Sequence, residues 1–281
     1  MEAVPSRTAM LAALARGWLR MDAKPPWVLD DAFALVLIGP VRQELHERVF
    51  SQFPDQVTRE VIAAICTRSR YVEDRLAAGA FAQYVILGAG LDSFAWRRPD
   101  LLRSLKVFEV DHPASQEWKL ERVRDLALPR NDSQLFVPVD FEAESLRDAL
   151  HTAGFDWGQR ALFSWTGVAP YLTRQAIAST LRTIAGAAAG SEVALSYLAE
   201  ESVLDDVGRE FIRIYAPLAA SLGEPLQPGW PVIEIERLIG QCGLDVVDHP
   251  ARTELQERYF ANRTDGLRPY NVETLVTARV T

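Results

Sequence analysis

The sequence predicts an α/β protein in which a helical N-terminal part precedes a mostly parallel sheet. Two observations carry this prediction. Residues 1–80 show only apolar spacing of helical period, whereas from Tyr84 onward short apolar runs alternate with helical patterns, as βαβ units require. The first of these runs then opens directly into a glycine-rich turn, the exit expected of a strand that feeds a ligand-binding loop.

Within the helical part, Leu11, Leu14, Trp18 and Met21 recur at spacings of 3, 4 and 3, which places them on one packed stripe of a helix over 6–21. Pro25-Pro26 breaks that helix, and Asp30-Asp31 stand where a cap for the next would fall. A long helix covers about 55–78 and stops at Gly79. Seven strands follow, at 84–87, 106–110, 135–139, 161–165, 192–197, 244–248 and 274–280. Helices fall between them near 113–126, 142–151, 173–187, 203–221 and 232–242, and the Pro- and Gly-rich stretch 223–231 reads as loop. The division expected is a helical cap on the substrate side over 1–80 and a ligand-binding core over 81–281, with a helical insertion near 200–232.

Composition narrows the function classes. The 281 residues carry 30 Lys and Arg against 38 Asp and Glu, a net charge of −8, which argues against a nucleic-acid or anionic-membrane partner. Hydrophobic residues at 48% and charged residues at 24% are ordinary for a globular chain, so wholesale disorder and fibrous architectures are excluded. Cys66 and Cys242 lie far apart in helical segments, which makes a disulfide framework or structural zinc site a poor reading. Arg7, Arg16 and Arg20 interrupt the first residues, so no secretory signal is read there. The longest apolar run, 32–39, falls far short of the roughly 20 residues of a membrane-spanning helix. We expect a soluble, cytoplasmic protein.

The chemistry begins at Leu87-Gly88-Ala89-Gly90-Leu91-Asp92-Ser93. Two glycines let the backbone turn sharply and approach a ligand, although Ser93 stands where a dinucleotide fingerprint has a third small residue, and an ordinary tight turn stays open. The second strand ends in Asp111, 21 residues beyond Gly90, where a carboxylate accepts hydrogen bonds from the two hydroxyls of a ribose. A nucleoside-containing cofactor is implied; a helix cap ahead of Pro113 is the alternative. Asp140-Phe141 end the third strand, either as an adenine contact through the acid and the ring or as a cap and a core aromatic.

Three strings now carry a resemblance: Cys66-Thr67-Arg68-Ser69-Arg70-Tyr71-Val72-Glu73-Asp74, the glycine loop, and Val107-Phe108-Glu109-Val110-Asp111-His112-Pro113. With Asp140, the stretch from Ser164 to Thr173 and the tail from Tyr259 to Arg268, the chain resembles the leucine carboxyl methyltransferase family over nearly its whole length. It is most similar to the bacterial branch that holds O-methyltransferases of polyketide biosynthesis. The resemblance implies a Rossmann-like seven-stranded methyltransferase sheet, mostly parallel with its last strand antiparallel, and S-adenosyl-L-methionine as cofactor. It further implies that Arg68 meets the methionyl carboxylate, with Arg70 the other candidate, and that Gly88, Ala89, Gly90 and Asp92 shape the methionyl and ribose site. By the same implication Asp111 holds the ribose beside His112, and Asp140 and Phe141 sit at the adenine. One departure is plain: many relatives have a glutamate before the glycine that is Gly167, and this chain has Thr166. The cofactor ammonium then needs backbone carbonyls near Gly88 or Trp165, or the Thr166 hydroxyl. That change favours a small-molecule acceptor over a protein C-terminus.

Methyl transfer from a sulfonium is an in-line displacement that gains chiefly from alignment in a dry pocket, with no metal required. A carboxylate acceptor needs no base, whereas a phenol gains from one. Tyr171, beyond the fourth strand, is the candidate catalytic residue at the acceptor side, and His112 reads as structural. His46, His151 and His249 share no ligand-like spacing. Trp18, Trp27, Trp96, Trp165 and Trp230 are candidates, with Tyr171, for an aromatic acceptor cavity. A nicotinamide dehydrogenase, a protein carboxyl methyltransferase and a cofactor-binding module without turnover are the rival readings.

Overall fold

The computed structural model describes residues 6–140 and 144–281; Phe141, assigned above to the adenine, lies outside them. Four helices open the chain: α1 (Arg7–Asp22), α2 (Ala34–Ile38), α3 (Val41–Arg48) and α4 (Asp55–Ala78). The Ser6 hydroxyl caps α1 by accepting the Ala9 N–H at 3.2 Å. Asp31 starts α2 in the same way, accepting from the backbone of Phe33 and Ala34 at 3.1 and 2.9 Å. Because α1 packs on α2, α3 and α4 at once, its burial encircles the helix through Leu19 rather than following a stripe. Met21, expected in that stripe, lies past the packed turns and is 67% exposed.

The sheet then alternates with helices: β1 (Gln83–Leu87), α5 (Phe94–Arg97), β2 (Lys106–Asp111), α6 (Pro113–Asp125), β3 (Gln134–Pro138), α7 (Leu146–Thr152) and β4 (Ala161–Trp165). It continues with α8 (Arg174–Ala185), β5 (Glu192–Leu198), α9 (Asp206–Ser221), α10 (Val232–Gln241), β6 (Leu244–Asp248), α11 (Arg252–Phe260) and β7 (Glu273–Val280). Every expected strand is present, with ends shifted by at most a residue. The helix expected from 203 begins at Asp206 because Asp205 accepts the Gly208 N–H at 2.9 Å and fixes the start there. The helix expected from 142 is described from Leu146, where Ser145 caps it by accepting the Asp148 N–H.

Strand order is β3-β2-β1-β4-β5-β7-β6, parallel throughout except that β7 runs antiparallel to both its neighbours. The chain leaves β1 in one direction toward β3 and returns through β4 in the other. The crevice at the carboxyl ends of β1 and β4 is therefore the switch point where such sheets bind ligands. Successive residues of β1 point to opposite faces, and both are covered: Val85 and Leu87 join one core with Phe108 and Phe163, while Tyr84 and Ile86 join another with Val107 and Leu162. That two-sided burial explains why 84–87 reads as an unbroken apolar run. A third core links Leu14 of α1 and Ile62 of α4 to Phe211 of α9 and Tyr270, so the helical part and the 200–232 region roof the same edge of the sheet. Among the described residues, no helix is long and apolar enough to cross a membrane.

Candidate active site

The glycine turn after β1 is shaped by conformation and by close approach together. Gly88 and Gly90 have φ of +68° and +46°, and a Cβ on Gly88 would stand 2.3 Å from Val168 Cγ2. On Gly90 it would stand 2.8 Å from the Ala9 Cβ, because the first turn of α1 lies directly over the loop. The N–H groups of Gly88 and Ala89 donate to the Val110 carbonyl at 2.8 and 3.0 Å, tying the turn to β2.

Asp111 closes this arrangement. One carboxylate oxygen accepts the Gly90 N–H and the other accepts the N–H of His112 at 2.7 Å. Burial raises the Asp111 pKa above its ordinary value, against the pull of these two N–H groups. The carboxylate is thus held in one orientation beside the glycine turn, with lone pairs left for a diol. The His112 side chain instead caps α6, its Nδ1 accepting the Ala114 N–H at 3.2 Å. Asp92 accepts the Phe94 N–H at 2.6 Å, and Asp140 lies at the β3 end of the same cavity.

Ser93, the departure from the dinucleotide pattern, has its own role. Its buried hydroxyl donates to Asp31 at 2.7 Å, and Asp31 also accepts from Arg16 Nε at 2.8 Å. Arg16 in turn donates to the Leu91 carbonyl at 2.6 Å. A polar link therefore joins α1 and the start of α2 to the glycine loop. Burial alone would raise the Asp31 pKa, but Arg16 and Arg97 beside it hold it below its ordinary value.

At the β4 side, Arg68 of α4 reaches the sheet edge and pairs through Nη1 with Glu273, the first residue of β7. Burial works against the arginine charge, yet the Glu273 carboxylate raises its pKa above the ordinary value. The other Glu273 oxygen accepts from the Ser196 hydroxyl, which itself accepts the Gly167 N–H at 2.7 Å. Glu273 was not anticipated from sequence, and it supplies a carboxylate to the region where Thr166 left none. Antiparallel β7 begins at the edge where parallel β4 and β5 end, so its first residue falls at the mouth of the crevice. That topology was the signal available, and an expected strand start at 274 missed it by one residue.

The end of the crevice expected to receive an acceptor, and so called the acceptor end, is formed by the turn after β4 and by α9. The hydroxyls of Tyr171 and Tyr215 are 2.8 Å apart. Burial pushes the Tyr171 phenol well above its usual pKa and that of Tyr215 up to about 12, so both are neutral hydrogen-bonding groups. Phe50, Phe53 and Phe211 supply the apolar walls, and Phe53 stacks on Phe211 with ring centroids 5.7 Å apart.

A single cavity of about 700 Å³ joins these parts. It gathers Arg68, Gly88, Ala89, Gly90, Asp92, Asp111, His112, Asp140, Thr166 and Tyr171. Two sequence candidates lie elsewhere. Arg70 points off the other face of α4 to pair with Asp74 at 2.7 Å, its side chain 44% exposed. Trp165 is 1% exposed within the sheet core, since its position on β4 faces the helices. No tryptophan lines the cavity among the described residues: Trp18 stacks on His46, Trp27 bonds the Ala23 carbonyl, Trp96 bonds the Pro129 carbonyl, and Trp230 packs in the sheet core. Each large ring went to packing, and phenylalanines and tyrosines line the cavity instead. Cys66 is also buried, its thiol pushed up to about 12, and is no nucleophile.

Comparison with known proteins adds a lineage to this geometry. The family model for leucine carboxyl methyltransferase matches residues 9–185. The protein YktD of Bacillus subtilis (strain 168), named as an S-adenosyl-L-methionine-dependent methyltransferase, is 31% identical over 94% of both chains. A similarly named protein of Mycolicibacterium gilvum (strain PYR-GCK) is 29% identical over 96% of this chain and 92% of its own. Among solved structures, a duf574 family protein from Streptomyces avermitilis superposes with a TM-score of 0.62 at 16% identity, covering 95% of this chain and 97% of the other. Magnesium protoporphyrin IX methyltransferase from Synechocystis PCC 6803, solved with bound SAH, gives 0.50 at 11% identity over 82% and 89%. These likenesses bear on the fold.

Proposed function

This chain belongs to the leucine carboxyl methyltransferase family and is an S-adenosyl-L-methionine-dependent methyltransferase, and on that premise we propose that it methylates an oxygen of a small-molecule acceptor. The observation that carries the reading is the Asp111 carboxylate clamped against Gly90 at the switch point, next to a cavity with aromatic walls. The cofactor brings an electrophilic methyl group on a sulfonium. On this reading Asp111 accepts from the ribose hydroxyls and Asp140 from the adenine amine. Arg68 keeps guanidinium N–H groups beyond the one given to Glu273, and these suit the methionyl carboxylate. Glu273 and Thr166 are the acceptors at hand for the ammonium. The residues fit the group: the glycines leave room where a Cβ would clash, and the volume lies within the range of small-molecule sites.

The protein then works by positioning. The first turn of α1 over Gly90 and the aromatic walls exclude water, which favours alignment of acceptor oxygen, methyl and sulfur. A protein C-terminal carboxylate as acceptor is the second reading, favoured by the family match. Calorimetry with S-adenosyl-L-methionine, SAH and NAD tests the cofactor, with micromolar binding of the first expected and none of NAD. Labelled methyl transfer to small aromatic acceptors and to a peptide ending in leucine tests the acceptor class; label in the peptide alone would overturn the small-molecule proposal.

A further inference from the structure

The cavity contains a carboxylate that the reading above leaves unused. Glu224 lines the acceptor end, and its enclosed Oε2 meets no hydrogen-bond partner among the described residues. Its place is set by the end of α9. The Glu224 N–H donates to the Ala219 carbonyl at 3.0 Å while Gly223, at φ +82°, turns the chain in the left-handed conformation that closes a helix of this kind. Burial raises the Tyr215 pKa, the hydrogen bond with Tyr171 opposes that, and Glu224 stands near enough for its charge to add to the rise. An enclosed carboxylate oxygen without a donor is costly, and an occupant that carries a donor removes the cost.

The charges around it say which occupant. Of the arginines that line the cavity, Arg16 is held by Asp31, and Arg68 is divided between Glu273 and, on the reading above, the methionyl carboxylate. Among the described residues, the acceptor end thus offers a carboxylate and two neutral phenols, with no uncommitted cation. A carboxylate acceptor would face like charge there, whereas a hydroxyl acceptor supplies the missing proton.

We infer that Glu224 selects a neutral hydroxyl acceptor, of the phenol class given the aromatic walls, and takes its proton during transfer. This rests on the methyltransferase reading and deepens it. In the step, the acceptor oxygen forms the new O–C bond as the methyl–sulfur bond breaks. The sulfur keeps that electron pair as a neutral thioether, and the hydroxyl proton ends on a Glu224 oxygen.

The test uses the full chain saturated with SAH and a matched pair of probes, 4-hydroxybiphenyl and biphenyl-4-carboxylate. Calorimetry should give at least about tenfold tighter binding of the hydroxyl probe, and Glu224→Gln should erase that preference while SAH affinity stays unchanged. With S-adenosyl-L-methionine present, Glu224→Gln should also lower transfer to 4-hydroxybiphenyl by roughly 10²-fold. Equal or tighter binding of the carboxylate probe, no binding of either to the loaded chain, or an intact preference in Glu224→Gln overturns the inference. Failure of SAH itself to bind would overturn the underlying cofactor reading instead, so the two failures are distinct.

Discussion

Gly167 leaves the Arg68 guanidinium only the room of a hydrogen: a Cβ at this position would stand 2.9 Å from Nη2 and 3.0 Å from Nη1. The backbone there has φ +75°, so glycine is needed for the turn as well as for the passage of the arginine. The turn that ends β4 and the cation that faces the crevice are therefore one unit. Gly167→Ala should cost about 1–3 kcal/mol of stability for the strained φ, and the displaced arginine should weaken S-adenosyl-L-methionine binding about tenfold or more. Thermal melts and calorimetry on the same variant check both; a stable variant of full affinity would show that the guanidinium does not depend on this gap.

Arg68 and Arg70 lie two apart on α4, and geometry separates them. Arg68→Ala should weaken cofactor binding by roughly 1.5–3 kcal/mol, as expected for a charged hydrogen bond, and also lower stability by stranding Glu273. Arg70→Ala should leave the affinity as it is, because Arg70 pairs with Asp74 on an exposed face. Titration of both variants decides the matter, and a loss confined to Arg70→Ala would reverse the assignment.

What could be read from the chain follows from where the determining contacts lie. β1 and β4 were visible because strands buried along their whole length are mostly apolar, and the glycine turn was visible because conformation and close approach both demand it. The Arg68–Glu273 pair was not, since its members are 205 residues apart and meet only through the register of β7 on β5. Glu224 sat unremarked in a Pro- and Gly-rich loop, where nothing local marks a side chain as enclosed. The tryptophans misled for a simpler reason: aromatic bulk serves a core as well as a pocket, and an indole N–H is satisfied by a nearby carbonyl, as Trp96 and Trp27 show.

Asp111 gives a pH dependence of known sign. Burial raises its folded pKa above 3.8, so the carboxylate that would receive the ribose is lost on acidification before a free aspartate would be protonated. Cofactor affinity should start to fall above pH 3.8 as the solution is acidified. The stability contribution runs the other way, full below the unfolded value and lost as pH rises through the raised one. Calorimetry at stepped pH should show this decline in the wild type and a flatter, weaker profile in Asp111→Asn; a wild-type affinity indifferent to acidification would remove the ribose role.

Asp31 should behave oppositely. Its pKa is lowered, so its stabilising contribution is present above 3.8 and fades as pH falls through the lowered value. Asp31→Asn strands Arg16, whereas Arg97 keeps Glu73 at 2.6 Å, and the lost buried pair should cost about 3–5 kcal/mol near neutrality. Urea unfolding of wild type and variant should therefore differ most near neutral pH and converge in acid. A constant difference across the range would mean that the carboxylate charge is not what binds α1 and α2 to the glycine loop.

Tyr171 is the last group whose role turns on ionisation. Its phenol is buried and shares a 2.8 Å hydrogen bond with Tyr215, and its pKa lies well above the ordinary phenol value. A phenol that stays protonated cannot be the base, although it can orient an acceptor. Tyr171→Phe should therefore lower stability by about 0.5–1.5 kcal/mol through the lost hydrogen bond and reduce turnover without moving the shape of the pH–rate profile. Were Tyr171 itself to take the proton, the wild-type rate would rise on the alkaline side as this phenol ionises, and that rise would be missing from the phenylalanine variant.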